Sequence, residues 1–179
     1  MRQKSFRTDV LPLKDELFRL ALRITLNRAD AEDVVQETML KLWSRREQWQ
    51  EIESMEAFSL TICRNIALDH QKRMEQRNAS IDGESHSTDK AALEIADRSY
   101  SSSPEEQAVQ RDRVEMVRRL MDLLPEKQRT CMQLRDVEGK AYKEIADVMG
   151  ITEQQVKVNI FRARQTIKQK FTENEQYGL

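Results

Sequence analysis

The 179-residue sequence contains few glycines, prolines, cysteines and aromatic residues. Four glycines and three prolines leave few positions for the tight turns of a β-sheet protein. Aromatic residues make up 6% of the chain, whereas charged residues make up 34%. This composition is rich in good helix formers, so it predicts an all-α protein. Cys63 and Cys131 lie far apart and form no C-x-x-C pair, which argues against a disulfide framework and fits a reducing cytoplasm.

Signals for export, membrane insertion and catalysis are also lacking. Charges occur throughout residues 1–25 and no apolar run reaches membrane-spanning length, so we expect a cytoplasmic chain without direct membrane insertion. No glycine-rich phosphate loop occurs. Cys63 and His70 are seven residues apart on one predicted helix, but no third ligand accompanies them at metal spacing. The sequence therefore predicts no enzyme, no cofactor and no metal site.

Charge is distributed unevenly, although the net charge is only −1. Residues 151–172 contain five basic residues and one acidic residue, whereas residues 82–106 contain seven acidic and two basic residues. Such asymmetry indicates a partner surface that carries both signs.

Helical periodicity divides the chain into two small domains. Residues 8–77 contain three predicted helices: one from about Pro12 to Leu26, one capped by Asp30 and ending near Arg45, and one capped by Ser54 and ending near Arg77. Residues 78–104 are acidic, rich in serine and almost without periodicity, so they predict a flexible linker. Helical periodicity resumes over residues 105–172, where Pro125 starts one helix and Gly139 follows its end.

Residues 142–164 have the pattern of a helix-turn-helix. Gly150 can adopt the left-handed conformation that ends a helix, and Thr152 with Gln155 forms the T-x-x-Q pattern of a capping box. The buried stripes of the two helices are predicted to contain Ile145, Ala146, Met149, Val156, Ile160 and Ala163. The opposite face of the second helix offers glutamine, lysine and arginine, which can contact base edges and phosphates. A solvated basic face is the alternative, but the joint occurrence of these features favours DNA binding.

Both halves resemble the sigma factors of the extracytoplasmic-function (ECF) group, the smallest initiation factors of bacterial RNA polymerase. R-A-D-A-E-D-V-V-Q-E-T-M-L-K-L-W (28–43) resembles the polymerase-binding helix of that family. F-S-L-T-I-C-R-N-I-A-L-D-H-Q-K-R (58–73) resembles its promoter-melting helix, and L-P-E-K-Q-R (124–129) with the helix-turn-helix resembles its minus-35-reading domain. The resemblance implies that core RNA polymerase and promoter DNA are partners of this chain. It also implies an anti-sigma factor, either free or membrane-anchored, that masks the polymerase-binding and DNA-binding faces.

The resemblance also implies roles for individual residues. Docking on the clamp of the largest polymerase subunit is implied for Asp33, Gln36, Glu37 and Leu40. Contact with the minus-ten element is implied for Arg64, Asn65, Asp69, Lys72 and Arg73, and the loop at 48–53 would receive a flipped base. Contact with the minus-35 element is implied for Gln154, Gln155, Lys157, Val158, Arg162 and Arg164. From composition alone, solvated surfaces and an ordinary polar role for Asn65 remain alternatives.

Two departures from the family pattern concern specific positions. A Gly-Thr pair that is common before V-K is replaced by Gln154-Gln155, which leaves base preference there open. Phe58-Ser59 stands where a tryptophan is common, and Phe58 can fill similar core space. Core packing is expected for Trp43, while Trp49 stays undecided between core packing and base stacking. For the linker, threading into the polymerase and a plain tether are equally supported.

The main rival hypothesis is a helix-turn-helix regulator that binds DNA unaided, with the N-terminal half as a sensor or dimerisation domain. Residues 28–73 argue against it, because they resemble polymerase-binding and melting helices rather than a ligand pocket. In a gel-shift experiment, an unaided regulator would shift its DNA without polymerase, whereas an ECF sigma factor would shift DNA only when core polymerase is present.

Overall fold

The computed structural model describes residues 3–80 and 103–177, in which every regular element is helical, as the sequence predicted. Most of the predicted linker lies outside these residues. The longer helices are α1 (Lys14–Thr25), α2 (Arg28–Ser44), α3 (Met55–Ser80), α4 (Pro104–Asp122), α5 (Glu126–Met132), α6 (Tyr142–Met149) and α7 (Glu153–Tyr177). Short helical turns precede α1, follow α2 at Arg46–Gln48 and follow α5 at Gln133–Val137.

The N-terminal domain is formed by α1, α2 and α3, which pack against one another. Leu17, Leu20 and Ile24 of α1 are fully buried and face Val34 and Leu42 of α2 in one core. Residues from α3, among them Leu60, Cys63 and Ala67, complete this core. Phe58 is partly buried against it, as expected for a residue that replaces a larger aromatic side chain.

The cap of α2 differs from the prediction, which placed it at Asp30. Leu26 ends α1 in the left-handed region at a φ of 56°, and Asn27 returns to extended backbone. Asn27 Oδ1 then accepts a hydrogen bond from the Asp30 backbone N–H at 3.0 Å. Asparagine is as good an N-cap as aspartate. Asp30 therefore lies in the first turn, where its carboxylate is favoured by the helix dipole.

Helix α3 begins as predicted but extends further. Ser54 Oγ accepts a hydrogen bond from the Ala57 backbone N–H at 3.2 Å, which confirms the predicted cap. The helix continues past Arg77 to Ser80, the last residue described before Ser103. Residues 75–80 are exposed, so no buried stripe in the sequence predicted this continuation.

The two tryptophans have different environments. The indole of Trp49 is buried, and its Nε1 donates a hydrogen bond to the Leu42 carbonyl at 3.1 Å. Trp43 is 50% exposed, so the expectation of core packing for Trp43 was wrong. Trp43 contacts Phe6 edge-to-face at 5.6 Å between ring centroids, at the margin of the core.

The C-terminal domain contains α4 to α7. Ser103 and Glu106 form a capping box at the start of α4, and Pro125 immediately precedes α5. Leu120, Met121 and Leu124 pack against Ala163 and Ile167 of α7. Gly139 adopts a φ of 71° between the turn at Gln133–Val137 and α6, which agrees with the predicted stop.

The two domains pack against each other in this structure, which the sequence did not predict. Helix α1 contacts α5, and α3 contacts α6. The apolar residues Cys131, Leu134 and Ile145 belong to the same buried cluster as Leu17 and Cys63 of the N-terminal domain. Among residues 3–80 and 103–177, no helix combines the length and apolar character needed to cross a bilayer.

We expect Gly150→Ala to lower the free energy of unfolding by about 1–2 kcal/mol, because Gly150 has a φ of 65° that a Cβ disfavours. Space is not the cause, since a Cβ there would meet nothing within 4 Å. Gly150→Asn is the matched control and should lose less, because asparagine tolerates this conformation. Urea unfolding followed by circular dichroism measures both, and equal losses would show that backbone conformation is not responsible.

Candidate functional site

One exposed face of α2 contains all four residues predicted to bind polymerase. Asp33, Gln36, Glu37 and Leu40 are exposed, and their spacing places them on one side of the helix. The Leu40 side chain is 71% exposed, and Trp43 lies one turn further along. The face thus combines carboxylates and an amide with exposed apolar surface. Such a combination is typical of a protein-binding patch.

Four of the five residues predicted to meet the minus-ten element are exposed on α3. Asn65 and Asp69 are one turn apart, and Lys72 and Arg73 follow toward the end of the helix. An amide and two cations on one exposed helix can contact base edges and phosphates.

Arg64 is the exception, because it is only 8% exposed. Its Nη2 donates a hydrogen bond to Glu126 Oε2 of the C-terminal domain at 3.4 Å. The Arg64 Nε is buried and has no hydrogen-bond partner among the described residues. In this conformation the guanidinium is covered and cannot reach DNA.

The loop at 48–53 is held by contacts from two directions. Trp49 is buried, so base stacking on it would require the loop to rearrange. Lys4 Nζ donates a hydrogen bond to the Trp49 carbonyl at 2.9 Å and contacts the Ile52 carbonyl. A role for this loop in receiving a flipped base stays a prediction.

The helix-turn-helix is formed by α6 and α7 with the predicted local geometry. Gly150 ends α6 in the left-handed conformation. Thr152 and Gln155 form a reciprocal capping box, with hydrogen bonds of 3.0 and 3.1 Å. All six residues of the predicted buried stripes are buried, and α6 and α7 contact each other.

The predicted minus-35 residues on the outer face of α7 differ in their exposure and in their hydrogen bonds. Gln154, Lys157 and Arg162 are exposed, and Val158 is half-buried. Gln155 is exposed, but its side-chain oxygen is used in the capping box. These side chains lie on the first three turns of α7, the part of a recognition helix that enters a major groove.

Arg164 is exposed and paired with Asp136, with Nε 3.0 Å from Oδ2 and a second contact through Nη2. The hydrogen bonds from Arg164 to Asp136 raise the pKa of Arg164 above its ordinary value. This guanidinium would have to leave Asp136 in order to meet a phosphate or a base.

Tyr142 is a contributor that sequence reasoning missed. The Lys157 ammonium lies 5.3 Å from the centroid of its ring, and the Arg135 guanidinium lies 4.4 Å from it. Cation–π contacts of this kind orient long side chains. An aromatic residue at the first position of α6, next to a basic second helix, is the signal that could have indicated it.

Cys63 and His70 do not come together as a metal site. Cys63 Sγ donates a hydrogen bond to the Leu17 carbonyl at 3.4 Å inside the core, and burial raises the pKa of its thiol to about 12. Within the described residues, His70 lies instead beside Asp30 and Asp33, with one ligand atom of each within 4.8 Å of the others. Cys131 is also buried, and burial raises the pKa of its thiol to about 11.

Comparison with known proteins gives matches for both halves. Residues 10–77 match the family described as Sigma-70 region 2, and residues 114–167 match Sigma-70, region 4. The probable RNA polymerase sigma factor RfaY of Xanthomonas campestris is 30% identical over 93% of this chain, which spans only 40% of that relative. The ECF RNA polymerase sigma factor EcfG of Rhodopseudomonas palustris is 28% identical over 89% of this chain and 81% of its own length.

A likeness in fold accompanies these matches. The sigma factor RpoE of Bartonella quintana, solved in complex with the anti-sigma factor NepR, aligns with a TM-score of 0.74 at 20% identity. The alignment covers 93% of this chain and 96% of that one.

We expect Cys63 and Cys131 in the folded chain at pH 8 to react with an aromatic disulfide reagent at least roughly 100-fold more slowly than in the unfolded chain. A raised pKa lowers the thiolate fraction, and burial also blocks access. Absorbance of the released thiol, with and without urea, measures both rates. Fast reaction of a thiol in the folded chain would contradict the burial described above.

Proposed function

Because the chain belongs to the ECF group of bacterial RNA polymerase sigma factors, we propose that it binds core RNA polymerase in the cytoplasm and directs it to promoters. The chain itself carries out no catalysis. The N-terminal domain reads and helps to melt the minus-ten element, and the C-terminal domain reads the minus-35 element. The observation that carries this proposal is one chain that exposes both an acidic and apolar face on α2 and a capped helix-turn-helix whose second helix, α7, is basic on its outer side.

Docking on polymerase uses the exposed face of α2. Asp33 and Glu37 supply negative charge one turn apart, which suits a basic helix of the polymerase clamp. Leu40 supplies the apolar contact. Because it is 71% exposed in this structure, its burial against polymerase would contribute favourable hydrophobic free energy to binding. Gln36 adds a neutral hydrogen-bonding group between them.

Contact with the minus-ten element uses the exposed side of α3. Asn65 can hydrogen-bond a base edge, and Lys72 and Arg73 can hold the phosphates of the strand. Asp69 lies on the same side and can accept a hydrogen bond from an exocyclic amine. Arg64 joins this set only after Glu126 has moved away from it.

Contact with the minus-35 element uses the first turns of α7. Gln154 is exposed at the second position of the helix, so it can read a base in the major groove. Lys157, Arg162 and Arg164 can neutralise phosphates, while Val158 offers an apolar contact. Gln155 contributes through the capping box, with its backbone positioned at the groove.

An anti-sigma factor is the proposed regulator. The RpoE protein to which this chain is similar was solved with the anti-sigma factor NepR, and the likeness covers both domains. A protein that covers the α2 face or separates α7 from DNA would block initiation. The acidic linker either follows a basic channel of the polymerase or only tethers the two domains.

Run-off transcription with purified core polymerase and a promoter library tests the proposal. Transcripts that require both this chain and the core enzyme support it, and an absence of such transcripts would contradict it. Gel shifts with promoter fragments separate it from an unaided regulator, because the latter shifts DNA without polymerase.

Leu40→Ala and Glu37→Ala are each expected to weaken binding to core polymerase by about tenfold, because both lie in the centre of the α2 face. Glu32→Ala is the matched control, since Glu32 is exposed on the flank of α2 and pairs with Arg28 within the helix. Fluorescence titration of labelled chain with core enzyme measures the affinities. Equal affinities for all three variants would place the polymerase contact elsewhere.

Gln154→Ala is expected to relax the preference at one base pair of the minus-35 element by about 1–3 kcal/mol, because a glutamine reads base edges. Lys157→Ala should weaken binding to all sequences alike and reduce the salt slope by about 1, because it releases one phosphate contact. Initiation from a randomised minus-35 library at several salt concentrations distinguishes the two. A uniform loss for Gln154→Ala would exclude base reading.

A further inference from the structure

A histidine and two aspartates of the N-terminal domain lie together where α2 packs against α3. Asp30 and Asp33 are one turn apart near the start of α2, and His70 is in the second half of α3. One ligand atom from each of the three side chains lies within 4.8 Å of the other two. Asp30 and His70 are half-buried, whereas Asp33 is exposed. The two helices therefore bring one nitrogen donor and two carboxylate donors to one place.

The two carboxylates of this cluster are not balanced by a basic side chain. Like charges one turn apart on a helix repel each other. In residues 3–80 and 103–177, neither Asp30 nor Asp33 is in an ion pair, and Arg28 pairs instead with Glu32 at 3.1 Å. The N-terminal end of α2 favours the ionised form of Asp30, which is the form that binds a metal ion. A dication between the two aspartates would neutralise the pair.

The imidazole of His70 provides a second, independent indication of a bound cation. Its Nδ1 is buried and has no hydrogen-bond partner among the described residues. A buried polar atom without a partner is costly, so each such atom in a native structure requires an explanation, for example an ion. Neutral imidazole is the commonest metal ligand in proteins. A cation bound at this nitrogen would satisfy it.

The donor atoms are slightly further apart than the ligands of one metal ion. Zinc binds imidazole nitrogen and carboxylate oxygen at about 2.0–2.2 Å, so two donors of one tetrahedral ion are roughly 3.4 Å apart. A separation of up to 4.8 Å closes to this value by small rotations of the aspartate side chains. The exposed Asp33 has room to turn, and its exposure gives the ion a path from solution.

We propose that Asp30, Asp33 and His70 bind one divalent transition-metal ion of the zinc type, with water as a further ligand. The mixed donor set decides the class of ion, because imidazole nitrogen suits Zn²⁺, whereas carboxylates and water alone suit Mg²⁺ and Ca²⁺. A structural zinc site has four protein ligands. A site with three ligands, one of them exposed, suits instead an ion that exchanges with the solution.

Occupancy of this site changes the surface proposed to bind polymerase. Asp33 belongs to the exposed face of α2, and Glu37 follows it one turn later. Zinc bound at Asp33 removes negative charge from this face, which weakens its attraction to a basic helix. This consequence rests on the proposed function, whereas the metal site itself does not.

Calorimetric titration of the full chain with zinc chloride tests the site. The unaltered chain should bind one Zn²⁺ per molecule, at least about tenfold more tightly than Mg²⁺. His70→Gln should weaken Zn²⁺ binding by at least about 10- to 100-fold, since loss of an outer hydrogen-bond partner of a metal ligand already costs that much. The two cysteines do not compete for the ion, because both are buried in the folded chain.

His86→Gln and Glu32→Gln are the matched controls. His86 is the other histidine of the sequence, and Glu32 is an exposed carboxylate of α2 that pairs with Arg28. Both variants should leave the affinity for Zn²⁺ unchanged, because they remove an imidazole or a negative charge without removing a proposed ligand. If His70→Gln does not fold, as judged by circular dichroism, Asp30→Asn decides by the same criterion.

Three results would each overturn the site: no binding of Zn²⁺, equal affinities for Zn²⁺ and Mg²⁺, or equal affinities of His70→Gln and the controls for Zn²⁺. Equal affinity for both ions would indicate only a general acidic surface. Calorimetry contains neither polymerase nor DNA. Its failure therefore leaves the proposed function standing, while failure of run-off transcription leaves the zinc site standing.

Fluorescence titration with core polymerase, with and without Zn²⁺, tests the consequence for docking. Zn²⁺ should weaken binding of the unaltered chain by about threefold, the effect of one exposed charge, and leave binding of His70→Gln unchanged. An equal effect of Zn²⁺ on both chains, or no effect on either, would overturn this consequence.

Discussion

Helix α3 packs in the core of the N-terminal domain and also contacts the C-terminal domain. Whether its remaining side can meet DNA depends on which of its residues the C-terminal domain covers. One side buries Leu60, Cys63 and Ala67 in the N-terminal core. Another side packs on α6 and places Arg64 against Glu126. Asn65 and Asp69 remain exposed. The same helix therefore serves the core, the contact between domains and the proposed DNA surface, and the last two uses compete for Arg64.

Local signals predicted much of the fold. The predicted cap at Ser54 and the predicted Thr152–Gln155 capping box are confirmed, because a cap depends on residues within one turn of one another. The predicted left-handed conformation of Gly150 is also confirmed, because it depends on a property of the residue itself, the absence of a Cβ. The cap of α2 was assigned to Asp30 rather than Asn27, because both side chains can cap and only the path after Leu26 decides between them.

Long-range contacts could not be predicted. Arg64 and Glu126 are 62 positions apart, and Arg19 and Glu138 are 119 positions apart, so no periodicity relates them. The helical pattern also could not show that Trp43 would be half exposed, because that depends on how Phe6 and Trp49 fill the margin of the core. The residues predicted for the surfaces of α2 and α7 are exposed, apart from the half-buried Val158, because each set lies opposite a buried stripe.

Glu126 covers Arg64 in this structure, whereas contact of Arg64 with the minus-ten element requires that it be uncovered. Energy transfer between dyes attached at Glu47 of the N-terminal domain and Lys168 of the C-terminal domain, both exposed, tests this most directly as core polymerase and then promoter DNA are added. We predict efficient transfer in the free chain and its loss in the initiation complex, because elements about 25 base pairs apart are separated by roughly 85 Å of duplex. Efficient transfer that persists in a complex which makes transcripts would contradict it.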